Sequence, residues 1–185
     1  MALFRGDAGR RLGLALYLLP AGATEPALTR ATGMSRWTVI SALKALVEDG
    51  VVTRTVPADG FHRYAANRAH PLAAELRDLA LRTLGGNDAL VLDAVRCPAI
   101  TRLAVFGSYA RGSEQAGSDL DILVVVRERG DRAAAEAVNR LAGAVVAIGV
   151  ELAAQTVTEG ELAAGSRFLD NVRRGAHVAL KGDLA

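Results

Sequence analysis

The sequence predicts an α+β chain in two parts, a small helical module with a hairpin and then a mixed sheet flanked by helices. Three observations carry that prediction. The first third holds short amphipathic segments, a tight turn and a basic hairpin. The rest alternates helix and strand signals. And two aspartates, Asp119 and Asp121, head a run as apolar as Ile122 to Val126, where an unpartnered carboxylate would cost several kcal/mol, about 2–7 for a merely polar group.

The bulk composition permits this division. The chain has 185 residues, 51% apolar and 23% charged, which is close to the globular average and excludes global disorder. A net charge of +2 gives no overall polyanion-binding signal. The single cysteine, Cys97, excludes an intrachain disulfide framework and cannot form a structural zinc site alone. It reads as a small buried apolar residue. No apolar run reaches the ~20 residues that cross a bilayer, so no membrane partner is expected and the default location is cytoplasmic. "GRRLGLALYLLPAGA" has features of a secretory leader. Leu12, Leu16 and Leu19 nevertheless recur at i, i+4 and i+7 with Ala15 beside them, and favour the first helix of a domain.

Each element of the first part has a local reason. Glu25 to Ala31 is helical. Gly33 suits a tight turn. Ser35 is a good N-cap, and Val39, Leu43, Leu46 and Val47 form one apolar face behind it. Gly50 ends that helix. "VVTRTV" and "FHRYA" are strand-like and joined by "PADG", a turn with Pro first and Asp-Gly last. This order resembles the small bacterial and archaeal winged helix-turn-helix regulators over residues 8–66. The resemblance implies double-stranded DNA as a partner, with Ser35, Arg36, Trp37, Ser41 and Lys44 presented by the second helix and Arg54 and Arg63 by the wing. Trp37 would pack on a sugar or thymine methyl, or else serve as a core or dimer-contact residue. A homodimer is expected, with the Leu12–Leu19 or the Leu72–Leu84 helix as its interface.

Leu72, Leu76, Leu79 and Ala80 repeat at helical spacing and Gly85-Gly86 closes that helix. The predicted division is therefore a DNA-binding domain at 1–68, a connecting helix at 69–86 and a second domain at 87–185. In the second domain Asn87 to Arg96 is helical, and "TRLAVFG", "DLDILVVV" and "VELAAQTV" are strands. "DRAAAEAVNRLAGAVVA" is a helix, "EGELAAGSRFLDNVRRG" one or two helices, and "HVALKG" a last short strand.

The chemistry sits on the second of these strands. Residues two apart on a strand share a face, so Asp119 and Asp121 project together, opposite Leu120, Ile122 and Val124. Two such carboxylates repel unless a cation neutralises them, and hard oxygen ligands suit magnesium. Gly107 and Ser108 follow the first strand, where glycine lets backbone approach a phosphate and the serine hydroxyl and helix-opening N–H groups hydrogen-bond it. Arg111 is near enough in sequence to add positive charge. Gly-Ser, about ten residues, then Asp-x-Asp opening an apolar strand resembles the nucleotidyltransferase superfamily related to DNA polymerase beta. The matching residues are Phe106, Gly107, Ser108, Ala110, Arg111, Gly112, Gly117, Ser118, Asp119 and Asp121. The resemblance implies a nucleotidyltransferase-fold mixed sheet and a nucleoside triphosphate held at Gly107, Ser108, Arg111 and Ser118. It also implies one or two Mg2+ ions on Asp119 and Asp121, and a third carboxylate on the next strand. Two alignments of "GVELAAQTVTEGEL" are open. One puts Glu151 at the third carboxylate, as catalytic residue and metal ligand. Counting back from "TEGEL" puts Ala153 there instead.

Three functions fit these residues. The chain is a DNA-binding regulator whose second domain moves a nucleoside monophosphate from a triphosphate to a hydroxyl. Or it senses a nucleotide without turnover. Or it is an antitoxin-type transferase with a partner protein as acceptor. Intact Gly107-Ser108 and Asp119/Asp121 favour nucleotide binding, and the doubtful third carboxylate favours sensing.

Overall fold

In the computed structural model, which describes residues 6–57 and 60–184, the chain divides into two units. One runs to Gly86 and takes in Ala147–Gly149; the other comprises Asn87–Val146 and the chain from Val150 on.

The first unit contains α1 (Asp7–Tyr17), β1 (Ala23–Thr24), α2 (Glu25–Thr32), α3 (Arg36–Glu48), β2 (Val52–Thr55), β3 (Arg63–Ala66) and α4 (Ala73–Arg82). Gly33 ends α2 at φ +65°, a conformation that costs glycine nothing. Ser35 starts α3 by accepting from the Thr38 amide at 3.1 Å. Val39, Leu43 and Leu46 are the buried face of α3. The predicted Leu12–Leu16–Leu19 stripe on α1 is wider in the fold. Every residue from Leu12 to Leu18 is buried, because α2, α3, β3 and α4 all pack around α1. Those apolar groups are used inside the unit, and so are Leu76, Ala80 and Leu81 of α4, while Leu72, just before α4, is 42% exposed.

The three strands form an antiparallel sheet in the order β1-β3-β2. Its hairpin loop is longer than the sequence suggests. Phe61 and His62 precede β3 instead of belonging to it. The Pro-first turn is present, with the Gly60 amide donating to the Pro57 carbonyl at 2.9 Å, while Asp59 lies outside the described residues.

The second unit contains α5 (Asp88–Arg96), β4 (Ile100–Phe106), α6 (Gly107–Arg111), β5 (Leu120–Val126), α7 (Arg132–Ala147), β6 (Leu152–Thr158), α8 (Glu159–Ala164), α9 (Arg167–Arg174) and β7 (Val178–Lys181). The mixed sheet has the order β6-β5-β4-β7. β5 and β6 are parallel and joined by the α7 crossover, and the other pairs are antiparallel. Cys97 is half-buried, not fully buried as expected, at the end of α5, and its carbonyl accepts from Lys181 Nζ at 2.9 Å.

Two faces of this sheet have different coverings. Ala104 of β4 with Leu123 and Val125 of β5 packs against Leu162 of α8 and Leu169 and Val172 of α9. α8 is fixed to the end of β6 by a reciprocal cap, in which Thr158 and Glu161 exchange side-chain and backbone hydrogen bonds. The other face carries α7. Val124, Val126 and Thr156 line a cleft of about 310 Å³ beneath Ala134, Ala135 and Val138. Asp121 shares a face with Leu123 and Val125 by strand alternation, so it lies on the α8–α9 side, and the cleft lies behind it.

Candidate functional site

β4 and β5 bring the two halves of the predicted motif together. Phe106, the last residue of β4, is the register partner of Asp121. The chain turns directly into α6 at Gly107, whose φ is +72°. A Cβ at that position would overlap the Asp121 carboxylate, standing 2.9 Å from its Cγ. Glycine is therefore required twice, for the backbone angle and for the close approach. Ser108 is the second residue of the same turn. Gly112 closes α6 at φ +78°.

The approach to β5 is held by its own loop. Ser118 accepts from the Gln115 amide at 2.9 Å through its hydroxyl and donates its own amide to the Gln115 carbonyl at 3.0 Å. Asp119 follows, exposed, and Asp121 is half-buried. Burial raises the Asp121 pKa above the ordinary value, the adjacent Asp119 charge raises it further, and the Arg111 guanidinium opposes both. Asp119, Asp121 and Arg111 are thus in electrostatic contact. A pair of adjacent carboxylates, one partly desolvated, fits a hard divalent cation, which would relieve both the repulsion and the burial cost.

The next strand sets the third position. β5 and β6 pair with Asp121 opposite Ala153 and Leu120 opposite Leu152. Glu151 lies just before β6, exposed, with its carbonyl accepting from the Leu120 amide at 2.8 Å. Ala153 is therefore the immediate neighbour of Asp121, and Glu151 stands one pleat nearer Asp119. Among the described residues no three acidic, histidine or cysteine side chains gather closely enough to hold a metal.

The residues proposed for DNA lie in the first unit. On α3, Arg36, Trp37, Ser41 and Lys44 are exposed, Trp37 at 77%, so Trp37 is not a core residue. Ser35 spends its hydroxyl on the cap. Arg36 folds back to Glu25 of α2 at 3.1 Å, and Lys44 approaches Glu48 at 3.9 Å. Arg54 pairs with Tyr64 and Arg63 with Thr55. Arg54 and Arg63 therefore sit on opposite faces of the hairpin. Arg54 is exposed and Arg63 half-buried. The sequence pattern alone could not separate them, because strand register is invisible until the partner is known.

Residues 91–173 match the family model of the nucleotidyltransferase domain, so this part of the chain carries such a domain. Solved structures with some similarity include a toxin–antitoxin crystallised with AMP-PNP. It is 25% identical, covering 52% of this chain and 73% of that one at a TM-score of 0.36. Another is a crystal structure from Sulfolobus solfataricus described as a candidate nucleotidyltransferase. It is 24% identical, covering 48% and 76% at a TM-score of 0.33. No curated protein matches.

The raised Asp121 pKa has a direct consequence. Its folded-state value lies above its unfolded value, so the ionised group opposes folding at neutral pH, and this penalty disappears as pH falls through the raised pKa. Without divalent cations, Asp121→Asn should melt higher than the parent at pH 7. The gap should close as pH enters the carboxylate range. Calorimetric melts across that range check it, and equal melting temperatures at pH 7 would contradict it.

Proposed function

We propose that the second unit binds a nucleoside triphosphate with magnesium at Gly107, Ser108, Asp119 and Asp121, and transfers its nucleoside monophosphate slowly to a hydroxyl. The observation that carries this reading is the Asp121 carboxylate packed on Gly107, which joins the phosphate-binding turn and the acidic strand into one site. Magnesium, when bound by Asp119 and Asp121, supplies the positive charge that the triphosphate and departing pyrophosphate need. Gly107 exposes backbone to the phosphates, Ser108 offers a hydroxyl and Arg111 adds a guanidinium. In transfer, the acceptor oxygen forms a bond to the α-phosphorus, the bond to pyrophosphate breaks, and the acceptor proton must leave. Ala153 has no atom that takes this proton. The task falls to solvent or to Glu151, the more distant carboxylate, so binding outruns turnover.

The first unit, on this proposal, is a winged helix that places α3 of two copies on paired half-sites of duplex DNA. What supports it is the arrangement of a three-stranded sheet behind a capped, outward-facing α3. A second reading makes the acceptor a partner protein, as in an antitoxin-type transferase. It is favoured by the exposure of Asp119, and the 310 Å³ cleft beneath α7 lies on the opposite sheet face, away from the carboxylates.

Calorimetric titration of the four triphosphates, with and without magnesium, tests the site. Magnesium-dependent binding is expected, and it should vanish in Asp119→Ala/Asp121→Ala. Unchanged affinity in that variant would refute the assignment. Mass spectrometry of the same samples, alone and with a co-expressed partner, reports any added nucleoside monophosphate.

The third position has its own test. Ala153→Asp should raise transfer, read as pyrophosphate release, by about a hundredfold if a positioned base is what the wild type lacks. No gain alongside intact binding would place the defect elsewhere.

For the first unit, affinity for duplex DNA should fall with salt, and Lys44→Ala should reduce the slope of log affinity against log salt by about 1. Absence of binding at low salt would remove DNA from the proposal.

A further inference from the structure

The second unit has one aromatic ring whose place the core does not explain. Among its described residues, Tyr109 is buried at 2% exposure, and Phe106 packs against the α8–α9 core. Phe168 is different. It is 42% exposed at the start of α9, beside the buried pair Leu169 and Val172 that anchors the helix. A single exposed apolar residue is ordinary, so position has to decide. The Phe168 ring meets Phe106 edge to face, with centroids 5.7 Å apart and planes at 74°. Such a contact uses at most one face of either ring, so Phe168 keeps a face free. Phe106 is in turn the register partner of Asp121 and the residue before Gly107. Cross-strand neighbours have Cβ atoms about 5 Å apart, which puts the exposed ring roughly 10 Å from the acidic pair, on the same sheet face. A nucleoside joined to a triphosphate anchored at Gly107 and Asp121 is long enough to span that distance. The Ser166 hydroxyl accepts from the Leu169 amide at 3.2 Å and fixes the first turn of α9, so the ring is presented from a capped helix.

We propose that Phe168 is a base-stacking ledge, its ring braced by Phe106 and its free face taking the nucleobase of the bound triphosphate. The proposal rests on the triphosphate reading given above and adds the recognition of the base. Stacking accepts every base because each has a π-face, and purines cover more of the ring than pyrimidines. The ledge therefore selects weakly, for purine over pyrimidine.

The test separates base from phosphates. The full chain is titrated calorimetrically with ATP, CTP and inorganic tripolyphosphate, each with magnesium, as wild type, Phe168→Ala, Phe168→Leu and Phe168→Trp. Leucine keeps apolar bulk against Phe106 but has no π-face. Alanine and leucine should weaken ATP binding by about tenfold or more, and CTP binding by less. Tryptophan should keep ATP affinity, and tripolyphosphate affinity should be the same in all four. Unchanged ATP affinity in both the alanine and leucine variants would overturn the ledge. So would a parallel loss of tripolyphosphate in the leucine variant, which would make Phe168 a support of the phosphate site. Failure of the wild type to bind ATP, CTP and tripolyphosphate alike would instead overturn the triphosphate reading itself, and the ledge with it.

Discussion

The contact between the Asp121 carboxylate and the backbone of Gly107 is the constraint around which the second unit is arranged. A carboxylate on an apolar strand is tolerable only near the end of the strand, where one side meets water and the other meets a partner. β5 satisfies this by placing Asp121 at its second residue, with Asp119 just outside. The chain leaving β4 must then pass so close that no side chain fits at 107. The turn, its positive φ and the opening of α6 follow from that closeness. So does the uncompensated electrostatics. Burial and Asp119 act on Asp121 in one direction, and Arg111 alone opposes them. The site is thus poised for positive charge before any ligand arrives.

The same carboxylate divides the sheet into two jobs. On its own face, α8 and α9 cover Leu123 and Val125, while Phe168 and Asp119 stay exposed. On the other face the sheet carries α7, and the cleft there is a gap in packing beside Val124 and Val126. Its lining is mostly apolar and it lies across the sheet from the acidic pair. The cleft is therefore no guide to the chemistry, because charge and strand alternation put the acidic pair on the other side.

Much of this was legible in the sequence, and the reason is local. Gly107, Ser108, Asp119 and Asp121 lie within two strands and one turn, where spacing along the chain fixes direction in space. The Ser35 cap, the Gly33 turn and the Val39–Leu43–Leu46 face are local for the same reason. What could not be read depends on pairing between distant segments. The parallel register that sets Ala153 beside Asp121 is one case, since a shift of two residues would have put Glu151 there with the same sequence. The meeting of Phe106 with Phe168 is another. The burial of every residue from Leu12 to Leu18 is a third, because periodicity reveals an apolar stripe but not how many neighbours will wrap it.

The polar groups at the start of α3 carry the last step. An N-terminal turn that reads DNA must have side chains free to leave the protein. The Ser35 hydroxyl is committed to the Thr38 amide, and removing such a cap costs about 1 kcal/mol. Arg36 is held by Glu25, whose side chain is only 14% exposed against 75% for the arginine. An ion pair this open on one side is worth no more than about 1 kcal/mol, so a phosphate or base edge can compete for the guanidinium, but only by leaving Glu25 with less compensation. On the proposed DNA reading, Arg36 is therefore a conditional contact, and Lys44, whose own pairing with Glu48 is long and exposed, is a cheaper one. Trp37, Ser41 and Lys44 remain as the groups α3 presents at least internal cost. On the same reading a duplex would be met by one aromatic surface, one hydroxyl and one weakly paired charge, a set that favours shape and apolar contact over dense hydrogen-bond readout.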